Sequence, residues 1–400
     1  MPASCDVSVI IVNYNGKKYI DTLFESLCGQ KSDGFSFEVV FVDNASSDDS
    51  VSYLKEKYAD RLDNLVIVES TENLGFAGGN NLGVANAHGE YIVLLNNDTA
   101  PNPDWLENLF RYAKSHKDVV MVNSKLLFYY DFIRIRFSTQ DKILLSPVVL
   151  LNGQEYRFDA KFCKNVLYGP DQITCFGHSE ICLPLLFGKT DYSILLRFVQ
   201  CAPADRVLFG QMSMAADGRQ LEFFVDQPTI EQNAVTLVQN AGSGITENLD
   251  GYDIGFCMED GEEFFREYEV SNGCGAAVMF RKADFEKCGG FDERFFMYYE
   301  DTDLSFRMKK DGGRIMYDPD AVVRHFHAGS SGEWSPFFTY HVCKNKLLFV
   351  AKNYGRSAFG KYFRRQLLSG IKERNRSKIK GTLQAWRLVS ADPEIKGRSA

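Results

Sequence analysis

An acidic pair, Glu300–Asp301, stands at the mouth of an amphipathic helical pattern, directly after the aromatic run Phe295-Phe296-Met297-Tyr298-Tyr299. Aromatic walls shield a carboxylate from water and adjust its basicity, and the same rings can stack on a sugar. Two histidines, His325 and His327, follow in a Gly/Ser-rich segment. A carboxylate that takes a proton and an imidazole that holds a metal are ingredients of metal-assisted group transfer. N-capping is the competing account of the acidic cluster, because carboxylates at a helix start accept backbone N–H bonds and complement the helix dipole. Asp303 fits that account, with Arg307 as a partner four residues on. Asp301, behind its aromatic wall, is harder to reduce to it.

Four more polar groups each follow an apolar run. They are Asn13-Tyr14-Asn15-Gly16, Asp43-Asn44-Ala45-Ser46, the stretch from Asn73 through Gly75 and Phe76 to Asn80, and Asn96-Asn97-Asp98-Thr99. Turn chemistry explains any one of them. Four in register along one sheet edge point instead to a ligand site, because open parallel sheets bind ligands beyond the carboxyl ends of their strands. Asp98 with His325 offers a hard oxygen and one imidazole, which with phosphate oxygens and water suits Mn²⁺ or Mg²⁺ better than structural zinc. A satisfied structural histidine is the alternative for His325. His327 would point to the opposite side of an extended segment, so one ligand of the two is expected. The glycines of Gly75–Gly83 let backbone approach a ligand, and the helix they open favours an anion such as a diphosphate at its N-terminus. Neither the dinucleotide fingerprint nor the P-loop pattern occurs.

The elements that must carry these residues alternate. Strands are predicted at Val7–Val12, Phe37–Val42, Leu65–Val68, Tyr91–Leu95 and Val119–Val122, with helices at Lys18–Gln30, Ser50–Tyr58, Asn80–Ala87 and Pro103–Ser115. That rhythm predicts an α/β fold with a mostly parallel sheet and helices on both faces. From about Phe128 to Tyr268 the pattern turns β-rich, as at Ser193–Gln200, Arg206–Ala215 and Arg219–Val225, which suggests an inserted β-rich subdomain. Tyr156, Phe158 and Tyr168 within it are read as exposed rings able to stack on glycan. Beyond it, Gly275–Phe280 resumes a buried strand and Asp301–Lys310 a helix. Arg314–Tyr317 and Val322–Arg324 follow as short strands, and Pro336–Lys352 as an aromatic helix leading into a basic tail.

The chain has 400 residues and a net charge of −8, which argues against nucleic acid as a main partner. Its ten cysteines form no C-x-x-C pair and its start carries no basic leader, so a cytoplasmic protein with reduced thiols is expected. Ile143–Leu151 is interrupted by Pro147 and falls short of the ~20 apolar residues of a membrane span. The basic tail suggests peripheral contact with anionic lipid, a solvated helical surface being the equal alternative.

The segments VSVIIVNYNG, VDNASSDDS, NLGFAGGNNLG, LLNNDT, GCGAAVMFRKADFEKCGGFDERFFMYYEDTDLSFRMKKDGGRI and VVRHFHAGSSGEWSPFF occur in this order. With them the chain resembles the family 2 glycosyltransferases of GT-A fold, especially the rhamnosyltransferase-like branch, over roughly 1–125 and 240–355. The resemblance implies a nucleotide-sugar-binding half (1–128) and an acceptor and catalytic half (237–355). These flank the insertion (129–236) and precede a basic helical tail (356–400). It implies that Asn13, Asn15 and Asp43 line the nucleobase and ribose pocket, and that Asn73, Gly75, Phe76 and Asn80 lie along the ribose and diphosphate. Asn96-Asn97-Asp98 takes the D-x-D position, so Asp98 would hold a divalent cation with help from His325. Asn96 replaces the first Asp of that motif, leaving more of the binding to Asp98. Asp301, beside Glu300, would be the catalytic base. The implied activity is inverting transfer of a sugar from a UDP- or dTDP-sugar to a glycan or lipid-linked glycan acceptor in cell-surface polysaccharide synthesis. A carbohydrate-binding or scaffold protein with an inactive transferase domain is the alternative.

Overall fold

Apolar, β-branched runs become the central strands of the fold. A computed structural model describes residues 5–62, 64–310, 312–326, 335–393 and 395, so His327 lies outside the described residues. Strand β1 (Val7–Asn13) is flanked in parallel by β2 (Phe37–Asp43) and β4 (Tyr91–Leu95), with Val9 opposite Val39 and Val93. β3 (Leu65–Glu69) pairs in parallel outside β2. Helices α1 (Lys17–Cys28), α2 (Ser50–Tyr58), α3 (Gly75–Ala85) and α4 (Trp105–Ser115) connect or follow these strands. β5 (Thr99–Pro101) is short, and β6 (Val119–Phe128) is a ten-residue strand, longer than its first apolar residues suggest.

The two faces of β1 explain the layers. Val9 and Ile11 belong to the core that takes Ile20, Leu23 and Phe24 of α1 and Trp105, Leu106 and Leu109 of α4. Ile10 faces α3, where a Cβ on Gly83 would come within 2.3 Å of its side chain. A sheet covered on both sides needs apolar residues at every position, and this is why the strands read as unbroken apolar runs. Each fully buried Leu or Phe side chain contributes about 1.5–3 kcal/mol.

The right-hand half of this sheet is mixed. Strand Ala277–Arg281 lies between β4 and β6 and is antiparallel to both. Strand Arg314–His325 then runs parallel to β6, and Tyr268–Glu269 closes the edge antiparallel to it. Arg314–His325 replaces the two short strands expected there, with a register shift between Asp318 and Val322 marking the break. Its far end pairs with β5, His325 opposite Thr99.

Tyr130–Val238 with Cys257–Asp260 forms a separate compact unit. Its centre is the antiparallel pair Phe132–Leu145 and Ile173–Pro184, packed through Ile133, Ile135, Phe137, Ile181 and Leu183. The expected strand Arg206–Ala215 is a hairpin of Arg206–Phe209 and Met212–Ala215. Tyr156, Phe158 and Tyr168 are not the open platform expected of them: Phe158 is 3% exposed, and Tyr156 and Tyr168 are half-buried against the same core.

The helix begun at Pro336 continues to Lys372, bent where Gly355 leaves helical geometry at φ 81° and ψ 177°. Arg376–Ala391 packs back along it, burying Ala385 and Val389 in a core that also takes Leu347, Leu348 and Phe359. Among the described residues no helix is long and apolar enough to cross a membrane.

Candidate functional site

The carboxyl ends of β1, β2 and β4 are joined by a continuous polar network. Asn13 is fully buried and donates Nδ2 to Asp43 Oδ1 at 3.2 Å and to Ser46 Oγ at 3.2 Å. Its Oδ1 accepts from Asn97 Nδ2 at 2.9 Å. Asn15, with φ of 52°, accepts on Oδ1 from the Ser47 N–H at 2.7 Å, stitching the first loop to the second. The second oxygen of Asp43 accepts from the Ser46 N–H at 3.0 Å. Three elements are thereby fixed around one mouth, with Asn15 and Tyr14 left exposed at its rim.

Asp98, next to Asn97, is buried against His325, with Oδ1 at 2.9 Å from Nε2. Gln239 Oε1 stands 2.7 Å from Nδ1 of the same ring. A Gln carbonyl oxygen accepts only, so the ring donates from Nδ1 and Nε2 is the nitrogen that faces Asp98. Two acceptors face to face require a proton or a cation between them. Carboxylate oxygen and imidazole nitrogen in this pose fit a divalent ion, with Gln239 orienting the ring behind it. Asn96 Nδ2 lies 3.4 Å from Nε2 and is a further neighbour. Among the described residues no group of three or more His, Cys, Asp or Glu side chains forms a complete metal cage, so phosphate oxygens and water would supply the remaining ligands.

Asp301 meets this corner through two consecutive residues. The Asn96 N–H donates to the Ala276 carbonyl at 2.9 Å, and the Gly275 N–H donates to Asp301 Oδ2 at 3.2 Å. Asp43, Asp98, Asp301 and His325 therefore share one end of the sheet. Burial raises the Asp301 carboxyl above its usual range, although backbone donors from Gly275 and Thr302 pull the other way. Glu300 is 5% exposed, and one of its oxygens is buried without a hydrogen-bond partner among the described residues. Burial first, and the neighbouring Asp301 charge second, push its carboxyl well up. Lys344 lies close enough to oppose this, while its own burial brings its ammonium down to about 8.

The backbone leading into the pair is strained. Phe296 has φ 66° and ψ −59°, and Tyr298 and Tyr299 follow at φ 71° and 70°. Each such residue costs about 1–3 kcal/mol and persists only where the surroundings impose it. Lys344 and Asn345 reach this turn from the helix Pro336–Lys372. Neither they nor Gln239 stood out in the sequence. No signal set the pair apart, since Lys344-Asn345-Lys346 is one polar run among several in that helix and Lys352-Asn353 repeats it.

The glycine-rich stretch takes a different part from the one expected. Helix α3 begins at Gly75, five residues earlier than the periodicity indicates, so the glycines lie inside it. Its first donors are already used: the Gly75 N–H by Asn73 Oδ1 at 2.9 Å and the Ala77 N–H by the Phe296 carbonyl at 3.1 Å. That corrects the reading of a helix N-terminus open to a diphosphate. Asn80 is 2% exposed and donates to the Phe76 carbonyl at 2.9 Å, so it braces the helix. Asn73 likewise serves the loop by accepting from Asn44 Nδ2 at 3.1 Å. Phe76 is half-buried, its ring close to Gly275 beside Asp301.

Comparison with known proteins bears on this arrangement. The family described as "Glycosyl transferase family 2" matches residues 8–168, and "N-terminal domain of galactosyltransferase" matches residues 259–328. Residues 8–168 thus match a family 2 glycosyltransferase domain. Relatives of that domain include the putative glycosyltransferase EpsH of Bacillus subtilis, 35% identical over 29% of this chain and 33% of the relative. The N-acetylglucosaminyl-diphospho-decaprenol L-rhamnosyltransferase of Mycobacterium tuberculosis is 47% identical over 14% of this chain and 19% of its own length. The chain thus spans less than half the length of the curated relatives it matches. The chain also superposes on the crystal structure of GalNAc-T7 with UDP, GalNAc and Mn²⁺, with a TM-score of 0.52 and 13% identity, covering 98% of this chain and 59% of that one. At that identity the likeness establishes the fold, a GT-A arrangement.

Proposed function

We propose that the protein is an inverting, metal-dependent glycosyltransferase moving a sugar from a UDP- or dTDP-sugar to a glycan or lipid-linked glycan acceptor. The observation that carries the reading is the meeting of Asp43, Asp98, Asp301 and His325 at one sheet edge, joined by Asn13, Asn97 and the Asn96–Ala276 bond. Asn13, Asn15 and Asp43 hold the nucleoside, with Asn73, Gly75 and Phe76 at the edge of the same pocket. Asp98 and His325 would hold Mn²⁺ or Mg²⁺, which supplies positive charge to the departing diphosphate. Asp301 takes the proton of the acceptor hydroxyl as its oxygen forms the new bond to the anomeric carbon. The bond from that carbon to the diphosphate breaks, and the nucleoside diphosphate leaves with the electron pair. One base and one in-line displacement invert the anomeric centre, whereas a glycosidase flanks the bond with two carboxylates.

Asp301→Asn should keep nucleotide binding and lower turnover by ~10²–10⁴-fold, the range of general-base loss. Normal turnover in that variant would reassign the base. Chelation with EDTA should abolish activity, and Mn²⁺ or Mg²⁺ should restore it; full activity in chelator removes Asp98 and His325 from the metal role.

A lipid-linked acceptor is supported by the C-terminal helices, where Leu368, Ile371, Leu383 and Trp386 are exposed among lysines and arginines. Apolar tips set among basic residues suit an anionic bilayer surface. Vesicles with anionic lipid should retain the protein at low salt and release it at high salt, and Leu383→Ser with Trp386→Ser should weaken retention. Equal binding to neutral vesicles would discard the contact.

A further inference from the structure

We infer that Asn345 is a positioning residue for Asp301, acting through the strained turn that precedes the acidic pair; the inference rests on the reading of Asp301 as the base. The turn is unusual at each step. The Met297 N–H closes on the Phe295 carbonyl at 2.8 Å, a three-residue turn centred on Phe296 in a conformation that side chains with a Cβ rarely adopt. Tyr298 and Tyr299 then both lie in the left-handed region, where only glycine is comfortable. Nothing in the local sequence favours this path, so tertiary contacts must impose it.

Asn345 supplies those contacts. It is fully buried, and its Nδ2 stands 2.9 Å from the Phe295 carbonyl, 2.7 Å from that of Met297 and 2.6 Å from that of Tyr298. One amide nitrogen thus draws three of the four carbonyls from Phe295 to Tyr298 onto a single point. Its own Oδ1 is buried without a partner among the described residues, so the residue serves through its donor half alone. Lys344 adds its ammonium to the carbonyls of Arg294 at 2.8 Å and Phe295 at 3.2 Å. On the other side the remaining carbonyl, that of Phe296, accepts from the Ala77 N–H of α3. The turn hands its geometry directly to the helix beyond, because the Tyr299 carbonyl accepts from the Asp303 N–H at 2.9 Å. Asp301 sits inside that first helical turn. A shift of the turn therefore moves the carboxylate, while the nucleoside pocket at Asn13 and Asp43 is built from other elements.

The test uses the full chain with Asn345→Ala and the milder Asn345→Ser, and Gln366→Leu as a control. Gln366 lies on the same helix and donates to the Cys343 carbonyl and Thr382, away from the turn. Amide hydrogen exchange over residues 297–303, thermal melting, kcat and donor KM are measured together. Either Asn345 variant should speed exchange in that segment and lower kcat by about 10²-fold, the cost of a displacement near 1 Å, with donor KM within about twofold. The control should lower melting temperature while leaving kcat and exchange at the turn unchanged. Unaltered exchange and kcat in both Asn345 variants overturn the inference, as does an equal loss of kcat in Gln366→Leu. If the unsubstituted protein transfers no sugar, the exchange contrast alone decides the positioning role, and it is the proposed function that fails.

Discussion

Glu300 and Asp301 are adjacent carboxylates in unlike surroundings. Glu300 is enclosed with one oxygen lacking a donor among the described residues, whereas Asp301 receives backbone N–H bonds on both oxygens. Burial pushes both carboxyls up, Glu300 the more strongly because Asp301 has backbone donors that oppose the rise, and this difference favours Glu300 as the neutral member of the pair. Glu300→Gln, which mimics the neutral acid, should thus keep turnover within about tenfold, far less than the loss from Asp301→Asn. Because burial lifts Asp301, the acid limb of kcat/KM should lie above the ordinary aspartate value of about 3.9. A limb at or below that value contradicts the assignment. The pair was legible in the sequence because acidic residues behind five large side chains are not what a cap requires. Gln239 and Asn345 were not, since each acts on a residue far away in the chain, and single side chains carry no sign of such a partner.

At the scale of elements, α3 and the turn at Phe296 lean on one another. Gly75 has φ of 69°, and a Cβ there would come within 2.5 Å of the Phe296 carbonyl. Gly75→Ala should cost about 1–3 kcal/mol in urea unfolding and lower kcat, because the backbone is strained and the turn is displaced. Wild-type stability in that variant would mean that the two segments separate freely. The strands were readable because burial on both faces leaves unbroken apolar runs, and Ser50–Tyr58 and Tyr91–Leu95 agree to the residue. The glycine stretch misled for a physical reason. Glycine that permits a ligand's approach and glycine that permits a helix to sit on a sheet look alike in sequence, and Gly83 against Ile10 is the second kind. The left-handed backbone at Phe296, Tyr298 and Tyr299 left no mark in the sequence, because local propensity argues against it.

For the molecule as a whole, stability should depend on pH through Asp318, where burial raises the carboxyl from 3.8 to about 6. The folded state then holds a proton that the unfolded chain has released between those values. Stability therefore falls as pH climbs through that window and stays reduced above it. Asp318→Asn should raise unfolding free energy by about 1–3 kcal/mol at pH 7.5, with the gain fading toward pH 4. An equal gain at both pH values would point to packing instead. The antiparallel strand Ala277–Arg281 has its own consequence during synthesis. Until it leaves the ribosome, β4 and β6 have no common neighbour, and the edge of β4 that it will cover stays bare. At typical elongation rates that interval lasts roughly 10–40 s, long enough for a nascent chain to need shelter from aggregation.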